Sequence, residues 1–259
     1  MNRQYVIISK VNGMQFSYKN SNVNYEYYNN NSKIDLVFLH GWGQNIQMMM
    51  PIAKPFIKKY NCLIIDLPGF GNSDEPKEVY TIYDYADLVN NLLMKEKIKS
   101  PILIGHSFGG KISLVYATKY KTKKLVLLAS PFKKHIKDDN LKVKALKFAK
   151  KVPGINKLEG FAKKHIGSTD YKNASQIMRK VLVEHVNTDI SENVKNIKCP
   201  TLIIWGTLDK QVSLEDGKEL EKLIQDSGLV IYEGCTHYAY LERLNQTINI
   251  LRSFIESGE

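Results

Sequence analysis

Short, unbroken apolar runs recur along this chain: "DLVFLHG" at 35–41, "CLIID" at 62–66, "PILIG" at 101–105, "KLVLLAS" at 124–130, "TLIIWG" at 201–206 and "LVIYEG" at 229–234. Each has strand length and lacks the apolar–polar alternation of a half-wet sheet, so each suits a strand buried on both faces. Helical patterns fall between them, over 46–59, over 81–96 (with Ile82, Tyr85, Ala86, Val89, Leu92 and Leu93 on one side), from Ser107 onward, over 214–226 and over 240–256. Strands alternating with helices predict a mostly parallel sheet covered on both faces. The opening segment differs. Residues 4–9, 14–18 and 23–28 alternate and are rich in Tyr, Val and Ile, which predicts antiparallel strands joined by turns at "NG" and "KNSN".

Composition narrows the classes. Hydrophobic residues make up 43% of 259, enough for a substantial core. No apolar run approaches the ~18 residues of a membrane span. The start, "MNRQYVIISKVNG", has no signal-peptide pattern. Cys62, Cys199 and Cys235 are odd in number and widely spaced, which predicts neither a disulfide framework nor a metal knuckle. Reduced, largely buried thiols and a cytoplasmic protein are the expectation.

The alternation breaks over 131–195, where no strand pattern is present and "PG" interrupts Lys-rich helical stretches at 153–154. This quarter carries 14 Lys and one Arg against seven acidic residues, most of the formal net charge of +11. An anionic substrate, a membrane surface or nucleic acid would fit such a surplus. A solvated helical surface fits it more simply, so no nucleic-acid partner is expected. In "NLKVKALKFAKKV" (140–152), Leu141, Ala145, Phe148 and Val152 form one stripe among lysines. It reads either as packing onto a site mouth or as transient membrane-surface contact.

Chemistry enters with "GHSFGG" at 105–110, which follows the strand "PILIG" and opens a helix. Gly-x-Ser-x-Gly at a strand-to-helix turn is a nucleophile elbow; Gly105 and Gly109 supply the small residues its tightness needs. In isolation Ser107 also reads as a helix cap. A serine hydroxyl needs a base, and the base an orienting carboxylate. His237 follows the last apolar run directly, and Asp209 lies just beyond "TLIIWG", both at carboxyl strand ends where open α/β sheets build sites. Their other readings are a partly buried loop histidine and a turn aspartate. Asp66, also at a strand end, reads as a structural turn residue. The N–H groups of Phe108 and of Trp42, in "LHGWG", are the candidate oxyanion donors. His106 is expected to face away from the elbow and His40 to brace the Trp42 loop. His40, Phe148 and Phe161 are expected to border the substrate. No spacing of ligands suggests a metal, and no phosphate-binding loop suggests a nucleotide, so no cofactor is expected.

Together "VFLHGWGQN", "LIIDLPGFGNSD", "ILIGHSFGGKISLVYA", "LVLLASP", "IKCPTLIIWGTLDKQV" and "GCTHYAYLE" resemble the α/β-hydrolase superfamily, in the family's order and across nearly all of the chain outside 131–195. The resemblance implies an α/β-hydrolase fold: a mostly parallel eight-stranded sheet with helices on both faces, a core from 1–130 and 196–259, and an inserted helical cap over 131–195. Within the superfamily the chain looks most like small capped serine esterases and hydrolases of carbon–carbon bonds. Ser107 stands where dehalogenases and epoxide hydrolases carry Asp. The implied activity is two-step acyl transfer on a small-molecule ester by Ser107, His237 and Asp209. Carbon–carbon cleavage or elimination on an anionic substrate by the same residues, and a non-catalytic binding protein on this fold, are the alternatives.

Overall fold

The computed structural model describes residues 13–134 and 174–258. The predicted strand at 4–9 and most of the expected cap, including Phe148 and Phe161, lie outside the described residues. Within them the chain runs β1 (Met14–Tyr18), β2 (Ser21–Tyr28), β3 (Asp35–Leu39), α1 (Ile46–Ala53), β4 (Asn61–Ile65), α2 (Ile82–Lys95), β5 (Ile102–His106), α3 (Phe108–Lys119) and β6 (Lys124–Leu128). It continues with α4 (Gln176–Asn187), α5 (Ser191–Val194), β7 (Thr201–Gly206), α6 (Leu214–Leu223), β8 (Ser227–Tyr232), α7 (Ala239–Glu242) and α8 (Leu244–Glu256).

The described strands form one eight-stranded open sheet in the order β1-β2-β4-β3-β5-β6-β7-β8. The β1–β2 and β2–β4 pairs are antiparallel, and every later pair is parallel. The apolar runs explain why. Alternate residues of one strand face opposite sides, and here both sides are apolar. Val37, Leu39, Leu103, Leu127, Ile203 and Trp205 join one buried cluster with α2, α3 and α6. Leu36, Phe38, Ile104, Leu128 and Ile204 join a second with α1, Tyr240 and α8. A strand carrying polar residues on either side would leave one cluster incomplete.

Several boundaries depart from the sequence reading for local reasons. The helix predicted over 46–59 stops at Ala53; Lys54 keeps helical backbone and bonds Met50 O, but Pro55 has no N–H to continue the ladder. The helix predicted over 240–256 is two pieces, broken at Arg243, where φ is −116° and ψ 45°. α2 begins as its sequence suggests, with a reciprocal cap in which Thr81 Oγ1 accepts the Asp84 N–H and the Asp84 carboxylate accepts the Thr81 N–H at 2.8 Å.

The described end of the expected cap, 174–195, is helical and packs into the sheet's cover. Met178, Val181, Ile190 and Val194 are buried in the same cluster as α2 and α3. Lys111 of α3, itself 1% exposed, donates to the carbonyls of His185 at 2.7 Å and Thr188 at 2.6 Å. It thereby satisfies carbonyls at the end of α4 that the helix cannot use. Burial pushes the Lys111 amine down to about 8. No helix among the described residues is long and apolar enough to cross a membrane.

Candidate active site

Five strand ends converge at the carboxyl edge of the sheet: β3 leads into His40–Trp42, β4 into Asp66, β5 into Ser107, β7 into Asp209 and β8 into His237. Ser107 has φ 50° and ψ −110°, a left-handed conformation that a non-glycine residue adopts only under compulsion. Packing supplies it. The Ser107 N–H donates to Leu128 O at 2.9 Å, and the Gly109 N–H to His40 O at 3.0 Å. A Cβ on Gly109 would collide with Leu39 O, and one on Gly105 would lie 2.6 Å from Gly109 O. The turn therefore closes only with glycine at both places, as the motif predicts.

The Ser107 hydroxyl caps nothing; it makes no hydrogen bond to the helix it precedes. Among the described residues, neither the Phe108 N–H nor the Trp42 N–H has an acceptor. The two residues touch, with rings 5.4 Å apart and edge-on. Two adjacent free amide donors beside a serine hydroxyl can receive a developing oxyanion.

The other half of the site is a carboxylate–imidazole pair. The His237 Nδ1–H donates to Asp209 Oδ2 at 2.7 Å, with both side chains buried. Asp209 Oδ1 accepts the N–H groups of Gln211 at 2.8 Å and Val212 at 3.0 Å, which fixes the carboxylate. An aspartate that holds the proton on Nδ1 leaves Nε2 as a base. The acid and base loops are locked to each other: Leu208 N–H donates to Cys235 O at 2.8 Å, and a Cβ on Gly206 would collide with that same carbonyl. Thr236 gives both its N–H and its hydroxyl to Glu242, pulling that carboxyl below its ordinary range and pinning the residue before His237. No hydrogen bond joins Ser107 Oγ to the His237 ring. Such bonds are often long without substrate and tighten in the reactive complex.

The structure thus gathers Ser107, Trp42, Phe108, Asp209 and His237 at one edge. One reading is corrected. His40 is wholly buried, its Nδ1–H donates to Gly41 O at 2.7 Å, and its Nε2 accepts the Leu67 N–H at 2.9 Å. Both nitrogens are spent on backbone, so His40 braces the Trp42 loop and has nothing left for a substrate. Burial pushes its imidazole down to about 4.

Other neighbours went unread in the sequence. Phe70 packs edge-on to Trp42 at 4.9 Å and to His40 at 5.6 Å. His185 packs edge-on to Phe108 at 4.6 Å. Gln44 Oε1 accepts the Gly41 N–H at 2.9 Å. "LPGFGNSD" held the one available hint of Phe70, an apolar residue in a polar turn. His185 and Gln44 carry no local signal. No group of His, Cys, Asp or Glu among the described residues could hold a metal.

Known proteins of similar sequence and shape bear on this geometry. The family described as alpha/beta hydrolase fold matches residues 36–149. A hydrolase of Bacillus subtilis, YugF, whose activity is uncharacterised, is 27% identical over 93% of this chain and 97% of its own. A structure of an α/β-hydrolase from a deep-sea metagenome superposes with a TM-score of 0.77, at 21% identity, over 95% of this chain and 98% of that one. This chain has the α/β-hydrolase fold. A monoacylglycerol lipase of Mus musculus is 26% identical over 87% of this chain and 76% of its own, and a lipase of Psychrobacter immobilis 26% identical over 85% and 76%. In this fold the Ser107 turn, the Trp42 and Phe108 N–H groups and the Asp209–His237 pair occupy the carboxyl edge, where open α/β sheets place their sites.

Proposed function

We propose that the chain is a serine hydrolase that cleaves carboxylic esters of small molecules through an acyl-enzyme. The observation that carries this reading is the buried Asp209–His237 hydrogen bond at the strand edge that also presents the strained Ser107. A structural ion pair has no need of a forced serine beside it. The names of the lipase and monoacylglycerol lipase relatives support an ester as the bond attacked.

In the proposed reaction Ser107 Oγ attacks the ester carbonyl carbon while His237 Nε2 takes its proton. Asp209 steadies the imidazolium. The carbonyl oxygen, now an oxyanion, lies between the N–H groups of Trp42 and Phe108; one such donor is typically worth about 2.7–4 kcal/mol. The tetrahedral intermediate collapses, and the alcohol leaves with the proton from His237. Water then attacks the acyl-serine, giving its proton to His237; as this second intermediate collapses, His237 returns the proton to Ser107 Oγ and the acid leaves.

The test pairs labelling with turnover. The wild type should react with a fluorophosphonate and hydrolyse p-nitrophenyl or glyceryl esters. Ser107→Ala should lose labelling and on the order of 10⁶-fold in kcat, with circular dichroism unchanged. A wild type that neither labels nor turns over any ester sinks the reading and favours a binding protein on this fold. A folded alanine variant with more than about a tenth of the activity sinks the nucleophile.

A further inference from the structure

His106 precedes the nucleophile and takes no part in the chemistry proposed above, yet it is wholly buried between two polar partners. Its Nε2 lies 3.1 Å from His237 O, the backbone carbonyl of the base. Its Nδ1 lies 3.1 Å from Gln44 Oε1, the oxygen that also accepts the Gly41 N–H. One side chain thus touches the segment carrying the base and, through Gln44, the loop carrying the Trp42 donor. The same residue is covalently joined to Ser107. Tyr240, with its ring 4.8 Å away, and Tyr238, at 5.6 Å, close the remaining sides.

The two contacts are not equivalent. Both ring nitrogens face acceptor oxygens, and a neutral imidazole carries one hydrogen. Gln44 Oε1 already has a donor in the Gly41 N–H. The His237 carbonyl receives no backbone N–H among the described residues. A buried carbonyl without a donor is costly, so the single hydrogen is better used on Nε2. Burial and the nearby His237 push the His106 imidazole down to about 3, which keeps it neutral and leaves one hydrogen to allot.

We propose that His106 is a positioning residue: its Nε2–H holds the His237 carbonyl and so sets the approach of the base to Ser107. The inference rests on the serine-hydrolase reading. The reason for its leverage is geometric. Asp209 fixes the His237 ring at one nitrogen, but the spacing between the base loop and the elbow depends on what joins the two main chains. His106 does so directly, from the residue next to the nucleophile. Misplacing a reacting group by about 1 Å can cost roughly 10²-fold in rate.

Two substitutions separate the nitrogens. His106→Asn places an amide near the Nδ1 position and cannot reach His237 O. His106→Gln can present an N–H near the Nε2 position and restore that bond. Each should be measured for kcat, KM and rate of phosphonylation, beside its Tm. The Asn variant should lose kcat and phosphonylation rate together, by roughly 10²-fold, with KM little changed. The Gln variant should recover kcat to within about tenfold of wild type even where its Tm equals that of the Asn variant. That rescue is what a purely structural role would not give. A folded Asn variant with wild-type kcat, or a folded Gln variant as impaired as Asn, overturns the proposal. Should Asn fail to fold, the Gln variant decides alone, by the same limit of about tenfold. Wild-type labelling and turnover, measured alongside, show whether the hydrolase reading itself has failed.

Discussion

Asp66 and Asp209 are near-twins in the sequence, each an aspartate just past a buried strand, and the structure puts them to opposite uses. Asp66 Oδ1 accepts the Ile46 N–H at 2.8 Å, and its Oδ2 accepts the Asn72 N–H at 2.9 Å and the Asn24 side-chain amide N–H at 2.8 Å. Both its oxygens are committed to groups that never move in a reaction, and they join β2, the start of α1 and the turn after β4. Asp209 commits one oxygen to its own turn and keeps the other for a histidine. Burial does not distinguish the carboxylate proposed as catalytic from the structural one here. The destination of the last oxygen does.

The sharpest way to break this comparison is Asp209→Asn. The amide oxygen can still accept from Gln211 and Val212, so the fold should survive. The amide NH₂ then faces His237 Nδ1 and favours the wrong tautomer, and kcat should fall about 10⁴-fold. Near-normal turnover in a folded Asp209→Asn enzyme would erase the distinction between the two aspartates.

Acid should act next most strongly, and on the Asp66 side through its neighbour. His40 bonds the N–H of Leu67, the residue after Asp66, and stays neutral down to about 4, against an ordinary 6.5. The unfolded chain takes up this proton below pH 6.5 while the folded chain does not. Stability should therefore be full above that pH and fall as pH drops toward 4, by on the order of 3 kcal/mol for this one group. Urea titrations across roughly pH 4–7 measure it. His40→Gln should flatten the slope, and a slope unchanged in that variant would exonerate His40.

The smallest effect belongs to Asp66→Asn. An amide cannot accept at both positions, so at least one buried donor is left facing an NH₂. The expected loss is about 1–3 kcal/mol of stability, with kcat preserved within about threefold at a temperature where the variant is folded. A collapse of kcat with intact stability would give Asp66 the role assigned to Asp209.

Those two aspartates also mark how far sequence alone could go. Position after a buried strand identified both as candidates, and the order Ser107, Asp209, His237 separated them. Apolar runs found β3 to β7 because burial on both faces leaves an unbroken hydrophobic signature; the run at β8 marked a strand too, but an edge strand of which only Tyr232 is buried. Helix ends were harder. Pro55 ends α1 because it has no N–H to give the ladder, a limit that the apolar periodicity up to Ile57 masked. Least legible were the long-range polar partners. Nothing near Gln44 announces that it faces His106, and nothing near Lys111 announces that it holds the end of α4. Such pairs are fixed by topology, and a single sequence has no local pattern for them. His106 shows the limit well: its position beside Ser107 was plain, but its partner lies 131 residues away.

The lock between Asp209 and His237 has a consequence for the order of assembly. Its two members follow β7 and β8, and β8 is the edge strand, paired on one side alone. Parallel pairing is non-local and slow to form, because a long loop must close before any contact rewards it. The Ser107 turn is held by contacts to β3, β5 and β6 and needs none from β8; the Asp209–His237 bond cannot form until β8 docks. For the proposed triad, pairing of acid with base therefore requires the edge strand in place, whereas the serine turn draws on none of its contacts.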